Sequence, residues 1–181
     1  MPKIDYSKCN HIEATKRGHE YNDTHDIALE EITPLKRYLH GFFAEKKSHV
    51  FASSMPRALL TAKAAFGEKF NIIGEERFIE FDLKFLPIPF VSLKFGTWAV
   101  ISRILWFAGL LKTKRSFRNE RLRAKKASEF IYEKAQDSSV ALVAHGMLNL
   151  FIEKDLKNKG YKRVSKVRNG FFSITTLTRD H

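Results

Sequence analysis

Five apolar residues in succession, Val140-Ala141-Leu142-Val143-Ala144, end at His145-Gly146 and follow the polar stretch Gln136-Asp137-Ser138-Ser139. A short, uninterrupted apolar run of this kind predicts a strand buried on both faces, as in the middle of a parallel sheet. Such a strand constrains the whole chain, because a parallel sheet needs crossover helices on its faces. It also gives His145 a definite place. In open α/β sheets, ligands collect in the crevice outside the carboxyl ends of the strands, where the next helix turns its N-terminus toward the same spot.

A second stretch has the same layout. His49-Val50-Phe51-Ala52 predicts a short strand that breaks into Ser53-Ser54-Met55-Pro56-Arg57, after which Ala58, Leu59, Ala62, Ala65 and Phe66 recur at helical spacing. Pro56 suits a first helical turn, and a serine hydroxyl just before it can cap. Arg57 therefore also stands at a strand-to-helix junction. An Arg and a His at two such junctions make an anion site, and a forked guanidinium matches phosphate best. Either residue taken alone also reads as a cap or a solvated side chain.

With 181 residues, an apolar fraction of 44% and 16 Phe, the chain has the material for one domain spanning residues 1–181 with a proper core. Cys9 is the only cysteine and cannot form an internal disulfide; no leader-like run opens the chain, so the expected location is the reducing cytoplasm. A formal charge of +12 calls for acidic partners: phosphorylated metabolites, nucleic acid or an anionic membrane surface.

The first thirty residues look polar and strandless, and Arg17-Gly18-His19-Glu20 reads as a loop or ragged helix. A helix is predicted from Thr33 as cap and Pro34 as first residue, with Leu35, Leu39, Phe42 and Phe43 on its apolar face. Phe70 to Ile73 predicts a weaker strand, and Arg77 to Asp82 alternates like a half-buried extended segment. Phe95 to Leu111 is the most apolar stretch, but Arg103 at its centre and its short length argue against a membrane span. It reads as a helix or helical hairpin laid over the sheet edge as a lid, with an interfacial membrane helix as the alternative. From Lys112 to Lys126 basic residues crowd together above a stripe of Leu122, Ala127, Phe130 and Ile131; a helix follows from Met147 to Asn158, then a second basic run from Lys162 to Arg168 and a final strand from Phe171 to Leu177. The order predicts a mostly parallel sheet with helices on both faces.

Four landmarks then align with one family. Ile32-Thr33-Pro34-Leu35, the block Ser53-Ser54-Met55-Pro56-Arg57-Ala58-Leu59-Leu60-Thr61-Ala62, Glu80 within Phe78-Ile79-Glu80-Phe81-Asp82, and Val143-Ala144-His145-Gly146 resemble, in that order, the histidine phosphatase superfamily. The resemblance implies a phosphoglycerate mutase-like, three-layer α/β/α sandwich with a mostly parallel central sheet and a helical cap insertion over about residues 85–118. It implies phosphomonoester hydrolysis through a phosphohistidine, without metal or cofactor. Arg57 would clamp the phosphoryl oxygens with Ser54 and Gly146 beside it, His145 would stabilise their charge, and Glu80 would protonate the leaving group. Phosphoryl transfer needs little more than positioning, positive charge and a proton for the departing alkoxide.

The family's attacking His lies in an Arg-His-Gly motif on a first strand, and no Arg-His-Gly occurs in these residues. The resemblance implies a chain that begins just downstream of its nucleophile, impaired on its own, whose neighbouring strands would be left with unpaired edges. Two other readings stay open: a non-catalytic phosphate-binding relative, and a basic protein that binds nucleic acid or a membrane surface through Lys112 to Lys126 and Lys162 to Arg168. The expected partner is a phosphorylated small molecule, with no specific nucleic acid, no transmembrane span and room for peripheral membrane contact. The sequence specifies neither the substrate nor the oligomeric state.

Overall fold

A computed structural model describes residues 5–25, 27–39, 42, 47–111 and 115–179. Its centre is strand β2 (Ser48–Ser53), which pairs in parallel with β3 (Ile72–Glu75) on one side and β5 (Ser139–Val143) on the other, so that Val50 faces Ile72 and Ala141. The remaining strands are β1 (Lys8–Cys9), β4 (Leu93–Lys94), β6 (Lys162–Asn169) and β7 (Phe172–Thr178). The helices are α1 (His11–Asp23), α2 (Pro56–Phe66), α3 (Phe95–Phe107), α4 (Phe117–Lys134) and α5 (Gly146–Asn158).

The order β3-β2-β5 dictates the layering. The chain steps one way from β2 to β3 and the other way from β3 to β5, and right-handed crossovers then put the two connections on opposite faces. Helix α2 rests on all three strands. Across the sheet, Phe51 joins Ala124, Ala127 and Ile131 of α4 and Leu148, Ile152 and Leu156 of α5 in the main core, together with Phe78, Phe81 and Trp106. The architecture is mixed α/β around a parallel three-stranded sheet, compatible with an α/β sandwich.

The sheet is narrower than one running to the chain's last strand. The stretch from Phe171 pairs antiparallel with β6 to form a separate hairpin. The basic run Lys162 to Arg168 is therefore a strand: Ser165, Val167 and Asn169 turn inward while Lys166 and Arg168 turn out, an alternation that charge conceals. In the described sheet β5 has a neighbour on one edge only, and all five of its residues are half-buried, not enclosed on both faces.

Other expectations are corrected locally. Residues 11–23 form a regular helix, because Asn10 Oδ1 accepts the Glu13 N–H at 2.9 Å and caps it. Lys8 and Cys9 pair with Lys94 and Leu93, a bridge too short for any apolar pattern to announce. The helix placed at Thr33 is a 3₁₀ stretch from Leu29 to Leu39 with Pro34 inside it; a proline has no N–H for an α-helical ladder. Phe43 lies outside the described residues. Arg77 to Asp82 does not alternate, because a 3₁₀ turn at Glu76–Phe78 sends Phe78 and Phe81, three residues apart, into the same core. Leu122 is exposed, and α4 buries Glu120, Ala124, Ala127, Ser128 and Ile131 instead.

Helix α3 spans two cores: Phe95 and Trp98 at its start pack in a second, smaller one with Cys9, Ala14 and Phe85 beside α1, while Trp106 at its end joins the main core. Trp98 Nε1 donates to the Cys9 carbonyl at 2.8 Å, which fixes α3 to the β1–α1 junction. No helix among the described residues is long and apolar enough to cross a membrane.

Candidate anion-binding site

Strands β2 and β5 run side by side, so the two sequence junctions meet at one end of the sheet. Arg57 enters from the first turn of α2, where Pro56 occupies the initial position; Met55 is the capping residue and offers no side-chain cap. His145 follows Ala144 in the two-residue link between β5 and α5 and caps α5 in extended backbone. Both are buried. Arg57 Nη2 lies 3.1 Å from His145 Nδ1, and His145 Nε2 lies 2.9 Å from Ser53 Oγ.

The chemistry of the donor settles the tautomer. A guanidinium only donates, so Nδ1 must accept and the proton sits on Nε2, where it is donated to Ser53 Oγ. Burial, and then the charges of Arg57 and Arg123, push the imidazole down to a pKa of about 3. His145 is therefore a neutral group held in one orientation.

Among the described residues, no carboxylate is a hydrogen-bond partner of Arg57. Its Nη1 donates to the carbonyls of Tyr21 and Asn22 and to Asn22 Oδ1 at 3.0, 3.1 and 3.2 Å, and its guanidinium lies 4.7 Å from the centre of the Tyr21 ring. Arg103 of α3 is similar, donating to the carbonyls of Phe81 and Asp82 at 2.8 Å each. These hydrogen-bond partners are neutral, but acidic charge reaches both cations: Glu80 acts on each, Asp23 on Arg57, and Asp82 and Glu120 on Arg103.

Glu80 stands inside this group. Burial raises its carboxyl pKa, opposed by the Phe81 N–H that it accepts at 2.9 Å and by the charges of Arg103, Arg57 and Arg123. Arg123 reaches the same strip of backbone, donating to the carbonyls of Arg77 and Ile79 at 2.9 and 2.8 Å, while its other edge pairs with buried Glu120. One neutral imidazole, one carboxyl with a raised pKa and three guanidiniums thus share one end of the molecule.

Arg57, Glu80 and His145 are brought together. Ser54 is not among them: it is exposed, and its N–H donates to the Glu75 carbonyl at 3.3 Å, while the hydroxyl at the site belongs to Ser53. Gly146 is exposed at the start of α5. Tyr21, Asn22, Arg103 and Arg123 have no local motif to mark them. Arg103 had a signal, since a lone charge inside an apolar helix needs a polar destination. Arg17 is anchored elsewhere, to Asp5, Glu13 and the Asp5 and Ser7 carbonyls, and His19 is exposed. Among the described residues no three His, Cys, Asp or Glu side chains are grouped so as to hold a metal ion.

No protein-family model, no curated protein and no solved structure matches the chain.

Proposed function

We propose that this chain carries the phosphoryl-binding and acid groups of a phosphomonoester hydrolase of the histidine phosphatase type. The observation behind the reading is the direct contact of Arg57 Nη2 with His145 Nδ1, made by residues from two separate strand-to-helix junctions. In this reading the fork of Arg57 takes phosphoryl oxygens in exchange for its present acceptors on Tyr21, Asn22 and His145, and His145 stays beside the same group. Glu80, whose raised pKa keeps a proton available nearer neutrality, delivers it to the leaving alkoxide. Arg103 and Arg123 add positive potential, which stabilises charge on the transferring group.

Turnover in that chemistry also needs an attacking imidazole. His11, His19, His25 and His49 have no described contact with Arg57 or His145, so a second reading, phosphate binding without turnover, describes these residues taken alone.

Isothermal titration with inorganic phosphate and with orthovanadate, beside an assay with an aryl phosphate, tests both. Binding that disappears in Arg57→Met supports the phosphoryl site. Accompanying hydrolysis selects the hydrolase, and binding without it selects the second reading. No binding of either anion would sink the proposal.

A further inference from the structure

Helix α3 is apolar on both sides. Its inward face carries Phe95, Trp98, Ser102 and Trp106, all buried. At a helical turn of 3.6 residues, Val100, Ile104 and Phe107 lie on the opposite face. They are exposed by 59%, 60% and 40%, and Leu110 just beyond the helix by 72%. A helix apolar all round belongs in a core or a lipid phase, and this one has only half of that covered. Its one charged residue, Arg103, is turned back onto the Phe81 and Asp82 carbonyls and so lends nothing to the outer face.

The surface next to this stripe is cationic. Phe107 and Phe117 are in edge-to-face contact with ring centroids 5.1 Å apart, which joins the end of the apolar stripe to the start of α4. Arg118, Arg121 and Lys125 follow there at spacings of three and four, all exposed, with exposed Leu122 among them. They form one wall of an open cavity of about 330 Å³, with Asp155 and Asn158 of α5 on the other.

We propose that this face is a docking surface for an anionic lipid bilayer, with Val100, Ile104, Phe107 and Leu110 entering the boundary between headgroups and acyl chains and Arg118, Arg121 and Lys125 meeting the headgroups. The charge selects the occupant: an apolar row bordered by cations, in a chain of formal charge +12, is complementary to acidic headgroups over hydrocarbon. The length fits as well, since 13 helical residues span roughly 20 Å, enough to lie in the interface and too little to cross it. Each basic side chain adds attraction that salt weakens, and the apolar row adds a component that salt does not remove. The inference does not depend on the phosphoryl site.

Co-sedimentation of the whole chain with vesicles of phosphatidylcholine containing about one-third phosphatidylserine tests it. The expected result is binding that weakens steeply with added salt and falls at least tenfold on pure phosphatidylcholine. Ile104→Asp should lower it by about tenfold, because one exposed aliphatic side chain no longer enters the bilayer. Ile104→Thr, which keeps the branched shape, should give a smaller loss in the same direction, and thermal melting checks that both variants are folded. Charge removal in Arg118→Gln with Arg121→Gln should flatten the salt dependence. Four outcomes overturn the proposal: no binding to anionic vesicles at low salt, binding that is unchanged in both Ile104 variants, a vesicle-free dimer that Ile104→Asp dissociates, or binding to RNA that anionic vesicles do not compete away.

Discussion

Arg57 donates to His145 across 3.1 Å, and the imidazole must accept because a guanidinium cannot. The contact joins the helix starts that follow two adjacent parallel strands. It also fixes which ring nitrogen of His145 carries the proton, and several measurable consequences follow from it and from its neighbours.

His145 should remain neutral throughout the physiological range. Its folded pKa, about 3, is below the ordinary 6.5, so between those values the unfolded chain binds one more proton than the folded one. Its stabilising contribution is complete above pH 6.5 and is lost as the pH falls toward 3, with a slope of at most about 1.4 kcal/mol per pH unit. Urea unfolding between pH 4 and pH 7 should show that slope, and His145→Gln should flatten it. An imidazole NMR signal assigned to His145 and titrating near 6.5 would contradict the buried neutral state.

Glu80 should behave in the opposite sense. Burial raises its folded pKa, so its effect on stability is most favourable below the unfolded value of 4.5 and is lost as the pH rises through the folded one. Glu80→Gln should therefore be more stable than the parent at pH 7 and similar to it at pH 4. If the site works as proposed, the same variant loses activity toward phosphomonoesters with poor leaving groups more than toward aryl phosphates. Denaturant midpoints at the two pH values check the first statement, and the ratio of the two rates checks the second.

Removing Arg57 leaves acceptors on α1 and on His145 without their donor. Arg57→Met should lower stability by about 3 kcal/mol, since hydrogen bonds to a charged group contribute more than neutral ones. Arg57→Lys should recover only part of this, because an ammonium cannot span both sets of partners as a planar fork does. Chemical denaturation of the pair gives both numbers.

Buried Glu120 holds Arg123 in place, with a side chain that is only 1% exposed. Arg123→Gln should cost about 3 kcal/mol, because among the described residues the buried Glu120 carboxylate then keeps only its longer contact with Arg115, at 3.8 Å. Adding Glu120→Gln should return a large part of the loss, so a double-mutant cycle with strong coupling is the expected result.

Gly18 offers a case in which two effects oppose each other. Alanine in the middle of α1 would gain about 1 kcal/mol of helix propensity. Its Cβ, however, would sit 2.6 Å from the edge of the Phe85 ring, itself buried in the smaller core. Crowding of this kind typically costs about 1–3 kcal/mol, so Gly18→Ala should melt at a lower temperature than the parent.

The parts of the molecule legible from sequence were those with a local cause. The runs at Val50 and Val140 are strands because their apolar residues are contiguous, and the helix after Pro56 begins where the proline allows it. Arg57 and His145 could be paired in advance because both junctions have one grammar. Ser53 and Ser54 could not be told apart, since which of two successive hydroxyls faces His145 depends on the exact residue at which β2 ends. Strand β6 was hidden by its own charge, with only Ser165, Val167 and Asn169 turned inward among the lysines and arginines. Tyr21 and Asn22 were invisible for another reason: they reach Arg57 through main-chain carbonyls, which every residue has.

Those carbonyls have a kinetic corollary. If an oxyanion binds Arg57 as proposed, its place at Nη1 is held by the last turn of α1, and it enters only after Tyr21 and Asn22 have let go. Association rates measured by stopped flow should then stop rising at high ligand concentration and level off at the frequency with which that turn comes away. Shortening the Asn22 contact set with Asn22→Ala should lift the plateau.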